Sequence, residues 1–296
     1  MSSPLISVIL PTYKRHLLLQ RALASVAAQT FRDFEVVVVD DGSPDSDFKQ
    51  GIVMDLPAVT LIRHEVNRGA AAARNSGIAA AKGDWISFLD SDDSWSPEKL
   101  AAQADYLRST DRFLANCTGF RLHRGGHVSE ICYDMAPGEF ATQVLWGCRI
   151  SPGSCLMTHR QVFNTVGPFD ETFRRLEDWD WLLRFSQHYD MSFLQRPLVD
   201  VFVDDRPPAT TLREDPALLA IDRIKSRHLP WIRARGWSAT TKFQSTIRLE
   251  KAARLYWIRR PVRGVFQLCL ALLWYPARNR EFFWSLWSVL FRRTSR

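Results

Sequence analysis

Apolar positions fall into two alternating periods along the first hundred residues. Residues 5–10 (Leu-Ile-Ser-Val-Ile-Leu) form a run that ends at Pro11, and Phe34 to Val39 form another that ends in Asp40-Asp41-Gly42-Ser43. Both predict buried strands that open onto polar loops. Between them Leu17, Leu18, Ala22, Val26 and Ala27 recur at helical spacing. Strand, helix, strand requires a right-handed crossover and a parallel pair. The rhythm continues with a strand at Val59 to Ile62, an Ala-rich helix from Ala70 to Ala81 and a strand at Trp85 to Leu89. Ser96-Pro97-Glu98 then supplies an N-cap followed by Pro at the first helical position. This alternation predicts a doubly wound α/β sheet, in which ligands bind beyond the carboxyl ends of the strands.

After about residue 113 the pattern loosens, as in a mixed second half on the same sheet. Phe113 to Phe120 and Cys155 to Thr158 are predicted strands, Asp178 to Gln187 a helix and Asp204 to Pro208 a loop. The chain divides into a body, residues 1–217, and a helical tail, residues 218–296. In the tail, Val262 to Tyr275 and Glu281 to Phe291 are helical segments separated by Pro276. Glu281, Ser285, Ser288 and Arg292 draw a narrow polar stripe on the second, which must therefore bury most of its surface.

Composition sharpens this division. The net charge of +7 conceals a body with 22 basic and 29 acidic residues up to residue 220, and a tail with 17 basic and 3 acidic residues beyond it. Six of the 11 Trp lie in that tail. With 46% apolar residues the chain has ample material for a core. Five scattered cysteines without a C-x-x-C pair argue against a zinc site or a disulfide framework. The N-terminus lacks the pattern of a signal peptide, and no run approaches about 18 apolar residues, so the expected location is cytoplasmic.

Three strand ends carry candidate chemistry: Pro11-Thr12-Tyr13, Asp40-Asp41 and Asp90-Ser91-Asp92-Asp93. Three carboxylates within four residues repel one another unless a cation sits among them. Mg²⁺ takes one or two protein carboxylates and fills its remaining positions with substrate phosphate oxygens, so a diphosphate is the expected ligand. Taken alone, such a D-x-D reads more readily as a solvated, helix-capping acidic loop. A carboxylate at Asp41 can accept the imide N–H of a uracil or the amino group of another base, though by itself Asp-Gly-Ser reads as a turn. Asn67-Arg68-Gly69 through Arg74-Asn75 opens a helix with small residues and two cations, suited either to an anion or to tight packing on the sheet. Glu177-Asp178-Trp179-Asp180 follows Gly167-Pro168-Phe169-Asp170-Glu171. Asp178 and Asp180 cannot share a helix face. A carboxylate at a helix start beside indoles has the setting of a raised pKa and a general base, though by itself it reads first as helix-start charge complementing the dipole.

Taken in order, these elements resemble the family 2 glycosyltransferases over roughly residues 5–190. The resemblance implies a GT-A fold, a mixed α/β sheet flanked by helices, here with a C-terminal helical appendage. It also implies an inverting transferase that uses a nucleoside-diphosphate sugar. Pro11, Thr12, Tyr13 and Asp41 then fall at the nucleobase, Arg74 near the base or diphosphate, and Asp90 and Ser91 near the ribose and metal. Asp92, with Asp90, is the implied ligand of Mg²⁺ or Mn²⁺, Glu177 belongs to the sugar-nucleotide site and Asp178 is the implied base. Processive relatives continue with Gln-x-x-Arg-Trp, whereas here the residues after Asp180 are Trp181-Leu182-Leu183-Arg184-Phe185, which points to addition of a single sugar.

The tail favours a membrane surface over a packed or dimerising role, because Arg259, Arg260, Arg263, Arg278, Arg280, Arg292, Arg293 and Arg296 flank its apolar segments. The expected acceptor is lipid-linked or a saccharide, at the inner face of the cytoplasmic membrane, in polysaccharide or glycolipid assembly. A homo-oligomer is the other use for such a tail. The rivals from other classes are a nucleic-acid binder working through the basic, aromatic tail and an inactive nucleotide-sugar-binding protein. Acidic strand ends argue against nucleic acid.

Overall fold

The computed structural model describes residues 5–44, 56, 58–110, 112–203 and 215–275. The chain forms two units, residues 1–141 with 148–205, and residues 142–147 with 206–296.

In the first unit, β1 (Ile6–Thr12), β2 (Phe34–Asp40), β3 (Val59–Arg63) and β4 (Trp85–Phe88) are mutually parallel in the order β3-β2-β1-β4. They are followed by β5 (Ser94–Trp95), β6 (Ala115–Arg124), β7 (His127–Ile131), β8 (Leu156–His159) and β9 (Ser192–Phe202). The sheet continues from β4 through β8, β6 and β9 to β5, and both β4–β8 and β6–β8 are antiparallel. The expected mixed α/β sheet is thus present, and its parallel half sends four carboxyl ends to one edge.

Every residue of β1 and β2 is buried, whereas β3 alternates as an edge strand should. β1 does not stop at Pro11 but runs on to Thr12. The backbone explains why: Leu89 N donates to Ile9 O, and Asp41 N to Thr12 O, so odd residues of β1 face β4 and even ones face β2. Pro11 therefore turns its missing N–H toward the β4 side, beyond the last residue there that pairs with β1.

The helices of this unit are α1 (His16–Ala27), α2 (Ala70–Ala80), α3 (Lys99–Arg108), α4 (Phe140–Gln143), of which Thr142 and Gln143 are counted with the second unit, α5 (Pro152–Cys155), α6 (Val162–Val166) and α7 (Glu177–Phe185). Helix α2 packs tightly on the sheet: Ala71, Ala72, Ala73 and Gly77 are buried, and a Cβ at Gly77 would collide with Ile9. Ser96 does not cap α3, which starts at Lys99. Its main chain still belongs to the sheet, donating to Leu198 O, and its hydroxyl accepts from Arg121 Nη2 at 3.0 Å.

The second unit contains α8 (Pro216–Ala234), α9 (Trp237–Trp257) and α10 (Pro261–Trp274). Asp215 caps α8 through Ala217 N and Leu218 N, and its buried carboxylate pairs with Arg254 of α9. Gly264 and Ala271 form the buried side of α10, while Val262, Phe266 and Leu273 stand 82%, 61% and 76% exposed on another side. The predicted loop at 204–208 and the predicted helix from Glu281 to Phe291 lie outside the described residues.

Candidate active site

The carboxyl ends of β1 and β2 are laced together. Asp41 N donates to Thr12 O at 2.9 Å, and Lys14 N donates to Ser43 Oγ at 2.8 Å. Pro11 and Thr12 are buried, whereas Tyr13 faces solvent with Lys14 Nζ 5.0 Å from its ring centroid. Gly42 has φ +78, and a Cβ there would lie 2.6 Å from the main chain of Val66, so only glycine fits.

The anion at the start of α2 is the protein's own. Asp41 accepts from Arg68 N at 2.9 Å through Oδ1 and from Gly69 N at 2.7 Å through Oδ2. His64 adds a contact from Nδ1 to Asp41 Oδ1 at 2.7 Å, while its Nε2 lies 2.9 Å from Ser76 Oγ. Asp41 thus organises the turn before α2.

Arg74, just over one turn into α2, joins two others of the predicted residues. Its Nη1 donates to Glu177 Oε1 at 2.6 Å and its Nη2 to Asp90 Oδ1 at 2.8 Å. Burial works against its charge, but Asp90, Glu177 and Asp178 outweigh that and hold the guanidinium above its ordinary range. Its Nε is buried and has no hydrogen-bond partner among the described residues. Next to it, Asn75 clamps the 167–171 turn by donating to Phe169 O at 2.8 Å and accepting from Phe169 N at 3.0 Å.

The three carboxylates after β4 do not converge. Asp90 goes to Arg74, and Asp92 Oδ2 accepts from Arg15 Nη1 at 2.5 Å. Asp93 turns inward, accepting from Ser154 Oγ at 2.5 Å and from Phe202 N at 3.2 Å. Burial, and then the charge of Asp90, push Asp93 up to about 8, so it carries a proton at neutral pH. Ser91 is buried between them in sequence. The mutual repulsion expected from the sequence is met by two arginines and a proton. Among the described residues no group of three or more His, Cys, Asp or Glu side chains is placed to hold a metal ion.

The chemistry of two of these side chains, Asp90 and Asp92, still suits Mg²⁺ or Mn²⁺. Asp90 and Asp92 are about one-third exposed, and Asp90 Oδ2 accepts no hydrogen bond among the described residues. These hard oxygens suit an ion that completes its shell with phosphate. Gly153 on α4's successor α5 makes room for Asp90, since a Cβ there would collide with Oδ2 and lie 3.1 Å from Arg74 Nη2. Gly153→Ala is accordingly expected to weaken Mn²⁺-dependent binding of a nucleoside diphosphate about tenfold or more with the fold retained, as measured by calorimetry.

Asp178, the second residue of α7, has Oδ1 accepting from Trp179 N at 2.7 Å and Oδ2 accepting from Cys148 Sγ at 3.4 Å. Desolvation, reinforced by Glu177 and opposed by Arg74, pushes its carboxyl up to about 6. Asp180 has a different task. It is buried and holds Arg184, which donates to the main-chain carbonyls of Val166 and Pro168. Three non-glycine residues with left-handed backbone border these groups: Lys14 (φ 54), Ser151 (φ 42) and Leu176 (φ 61).

Arg15, Arg21, His64, Cys148, Gly153 and Ser154 are the site neighbours that the sequence did not single out. Ser151-Pro152-Gly153-Ser154 carries a turn signature that could have drawn attention to α5. Nothing in the local pattern marks Cys148.

A family model described as Glycosyl transferase family 2 matches residues 7–167. An uncharacterized glycosyltransferase of Haemophilus influenzae is 31% identical over 189 residues, which is 62% of each chain. The PGL/p-HBAD biosynthesis glycosyltransferase of Mycobacterium bovis is 31% identical over 186 residues, 62% of this chain and 70% of its own. Among solved structures, S. aureus TarS superposes with a TM-score of 0.64 at 20% identity, covering 94% of this chain but 53% of TarS. TarS 1–349 in complex with UDP-GlcNAc gives 0.61 at 18% identity, over 92% of this chain and 91% of that one.

Proposed function

The chain belongs to glycosyl transferase family 2, and from that premise we propose that it moves one sugar from a nucleoside-diphosphate sugar to an acceptor hydroxyl, inverting the anomeric centre. The observation that carries this is Arg74, a buried cation that ties Asp90 to Glu177 beside Asp178 and whose Nε has no hydrogen-bond partner among the described residues.

Asp178 takes the proton from the acceptor hydroxyl as that oxygen attacks the anomeric carbon. A single base and a single in-line displacement yield inversion. The departing diphosphate gathers negative charge, which the buried Arg74 opposes; groups of this kind are typically worth about 2.7–4 kcal/mol each. Asp90 and Asp92 would hold Mg²⁺ or Mn²⁺, which when bound supplies further positive charge at the leaving group. Thr12 and Tyr13 line the nucleotide side with Pro11. Asp41 Oδ2, with one hydrogen bond made, has acceptor capacity left for a base N–H. UDP-GlcNAc is the first donor to test, since TarS 1–349 binds it. A screen of nucleoside-diphosphate sugars for acceptor-dependent release of the diphosphate with Mn²⁺ tests the proposal; release from none of them would defeat it.

Transfer should depend on ionised Asp178. Its rate is expected to be level above about pH 7 and to fall as pH drops through about 6, approaching tenfold per unit, in a profile of kcat/KM. A profile flat across that range removes Asp178 as the base.

Addition of a single sugar is supported by α7, where Arg184 is engaged in holding the 166–168 turn. Among the described residues no helix is long and apolar enough to cross a membrane. The exposed stripe of α10, with Arg259, Arg260 and Arg263 at its start, instead supports peripheral attachment to an anionic bilayer and a lipid-linked acceptor. Full-length protein should float with anionic liposomes, and Phe266→Glu with Leu273→Glu should leave most of it at the bottom of the gradient. Assembly of a polysaccharide or glycolipid is in keeping with the M. bovis relative, a PGL/p-HBAD biosynthesis glycosyltransferase.

A further inference from the structure

The carboxylate proposed to hold the divalent ion already has a cation on it. Arg15 stands between β1 and α1, next to Lys14 with its left-handed backbone, and its Nη1 reaches Asp92 Oδ2 at 2.5 Å. A second arginine reaches the same residue differently. Arg21, on α1, donates through Nη2 to the main-chain carbonyl of Asp92, and its guanidinium carbon lies 3.9 Å from the ring centroid of Phe202. Arg21 is anchored by its stacking and fixes the loop, whatever the charge on the Asp92 side chain.

Arg15 is not anchored in that way. Its side chain is 49% exposed, that of Asp92 is 31% exposed, and the contact involves one oxygen only. Exposed ion pairs of this kind shift an equilibrium by no more than about fivefold, so the contact is easily exchanged. We infer that Arg15 is the exchangeable resident cation of Asp92, neutralising it in the free enzyme and moving to the diphosphate when a divalent ion arrives with the nucleotide. The inference rests on Asp92 being a ligand of that ion.

Electrostatic bookkeeping favours the exchange only when nucleotide is present. A metal ion alone must compete with the Arg15 charge for the Asp92 carboxylate and offers the guanidinium no new partner. A metal–diphosphate complex replaces one ion pair by two, the ion on Asp92 and the guanidinium on phosphate oxygens, where charge-assisted hydrogen bonds are strong. Removing Arg15 therefore has effects of opposite sign on metal and nucleotide, a signature that loss of a purely structural contact does not produce.

The test uses the full chain and its Arg15→Ala and Arg15→Gln variants. Free Mn²⁺ is counted by electron paramagnetic resonance during titration without nucleotide, and UDP is then titrated calorimetrically at saturating Mn²⁺. The expected result is that both variants bind Mn²⁺ alone about three- to fivefold more tightly than the parent and bind UDP with Mn²⁺ about tenfold more weakly. Equal Mn²⁺ affinities, no Mn²⁺ binding by any of the three, or losses of the same sign in both titrations overturn the exchange. Asp92→Asn separates the failures. If it abolishes Mn²⁺ binding while Arg15→Ala changes nothing, the exchange alone falls; if it leaves Mn²⁺ binding intact, Asp92 as a metal ligand falls with it.

Discussion

Asp178→Asn is expected to lower turnover by about three orders of magnitude while changing donor affinity less than about threefold. General base catalysis contributes about 10²–10⁴. The asparagine keeps the shape of the side chain and an oxygen that can accept from Trp179 N, but it cannot take a proton. Donor binding should survive because Asp178 contributes no hydrogen bond to Arg74, which bonds instead to Asp90 and Glu177. Steady-state transfer kinetics and calorimetric titration of the donor measure the two quantities separately. Near-normal transfer by Asp178→Asn would rule out the assigned base, and a matching collapse of donor affinity would show that the residue binds the donor instead.

Arg74→Met should act on both stability and chemistry. Breaking a buried ion pair by removing one partner costs about 3–5 kcal/mol, because the partner charges remain without compensation. Here Asp90 and Glu177 both lose a short hydrogen bond, and Asp178 loses the cation that restrains its pKa. At about 2–4 °C per kcal/mol for a domain of this size, the melting temperature should fall by roughly 6–20 °C. Whatever transfer activity remains should show its acid limb displaced toward higher pH. Arg74→Lys should recover part of the stability, but a single ammonium cannot reproduce the forked contact to two carboxylates. Thermal melts and pH profiles of both variants check this; a Met variant as stable as the parent would mean that the carboxylates find water or each other at no cost.

Much of the parallel half was legible in the sequence, because buried parallel strands are continuous apolar runs and their loops begin where polarity returns. β2, β3, β4, α1 and α2 fall within a residue or two of expectation for that reason. β9 escaped because Arg196-Pro197 interrupts its alternation. The structure absorbs that interruption in register shifts around Gly119, opposite Pro197. Ser96 misled because the same residue type caps helices and ends strands, and only the tertiary partner, Leu198, distinguishes the two.

Partners of the candidate residues were less visible than the residues themselves. Spacing marks a carboxylate at a strand end, but not that Arg15 lies against Asp92, that Ser154 and Phe202 take Asp93 inward, or that Cys148 touches Asp178 from 30 residues away. Such contacts arise from the order in which strands are laid into the sheet, which no local period encodes. The Ala-rich start of α2 illustrates the overlap of roles: the same stretch packs on β1, presents Arg74 and receives Asp41.

Lys14, Ser151 and Leu176 bring a cost that concerns anyone who would harden this enzyme against heat. Each holds a left-handed backbone that glycine adopts freely and that costs other L-residues about 1–2 kcal/mol. They are therefore the obvious places to recover stability, yet each stands beside a group the site depends on: Arg15, Gly153 and Glu177. Relaxing any of the three would gain robustness where the backbone is most needed to stay put, so thermal tolerance is better sought in the edge strand β3 or on the exposed faces of the helices.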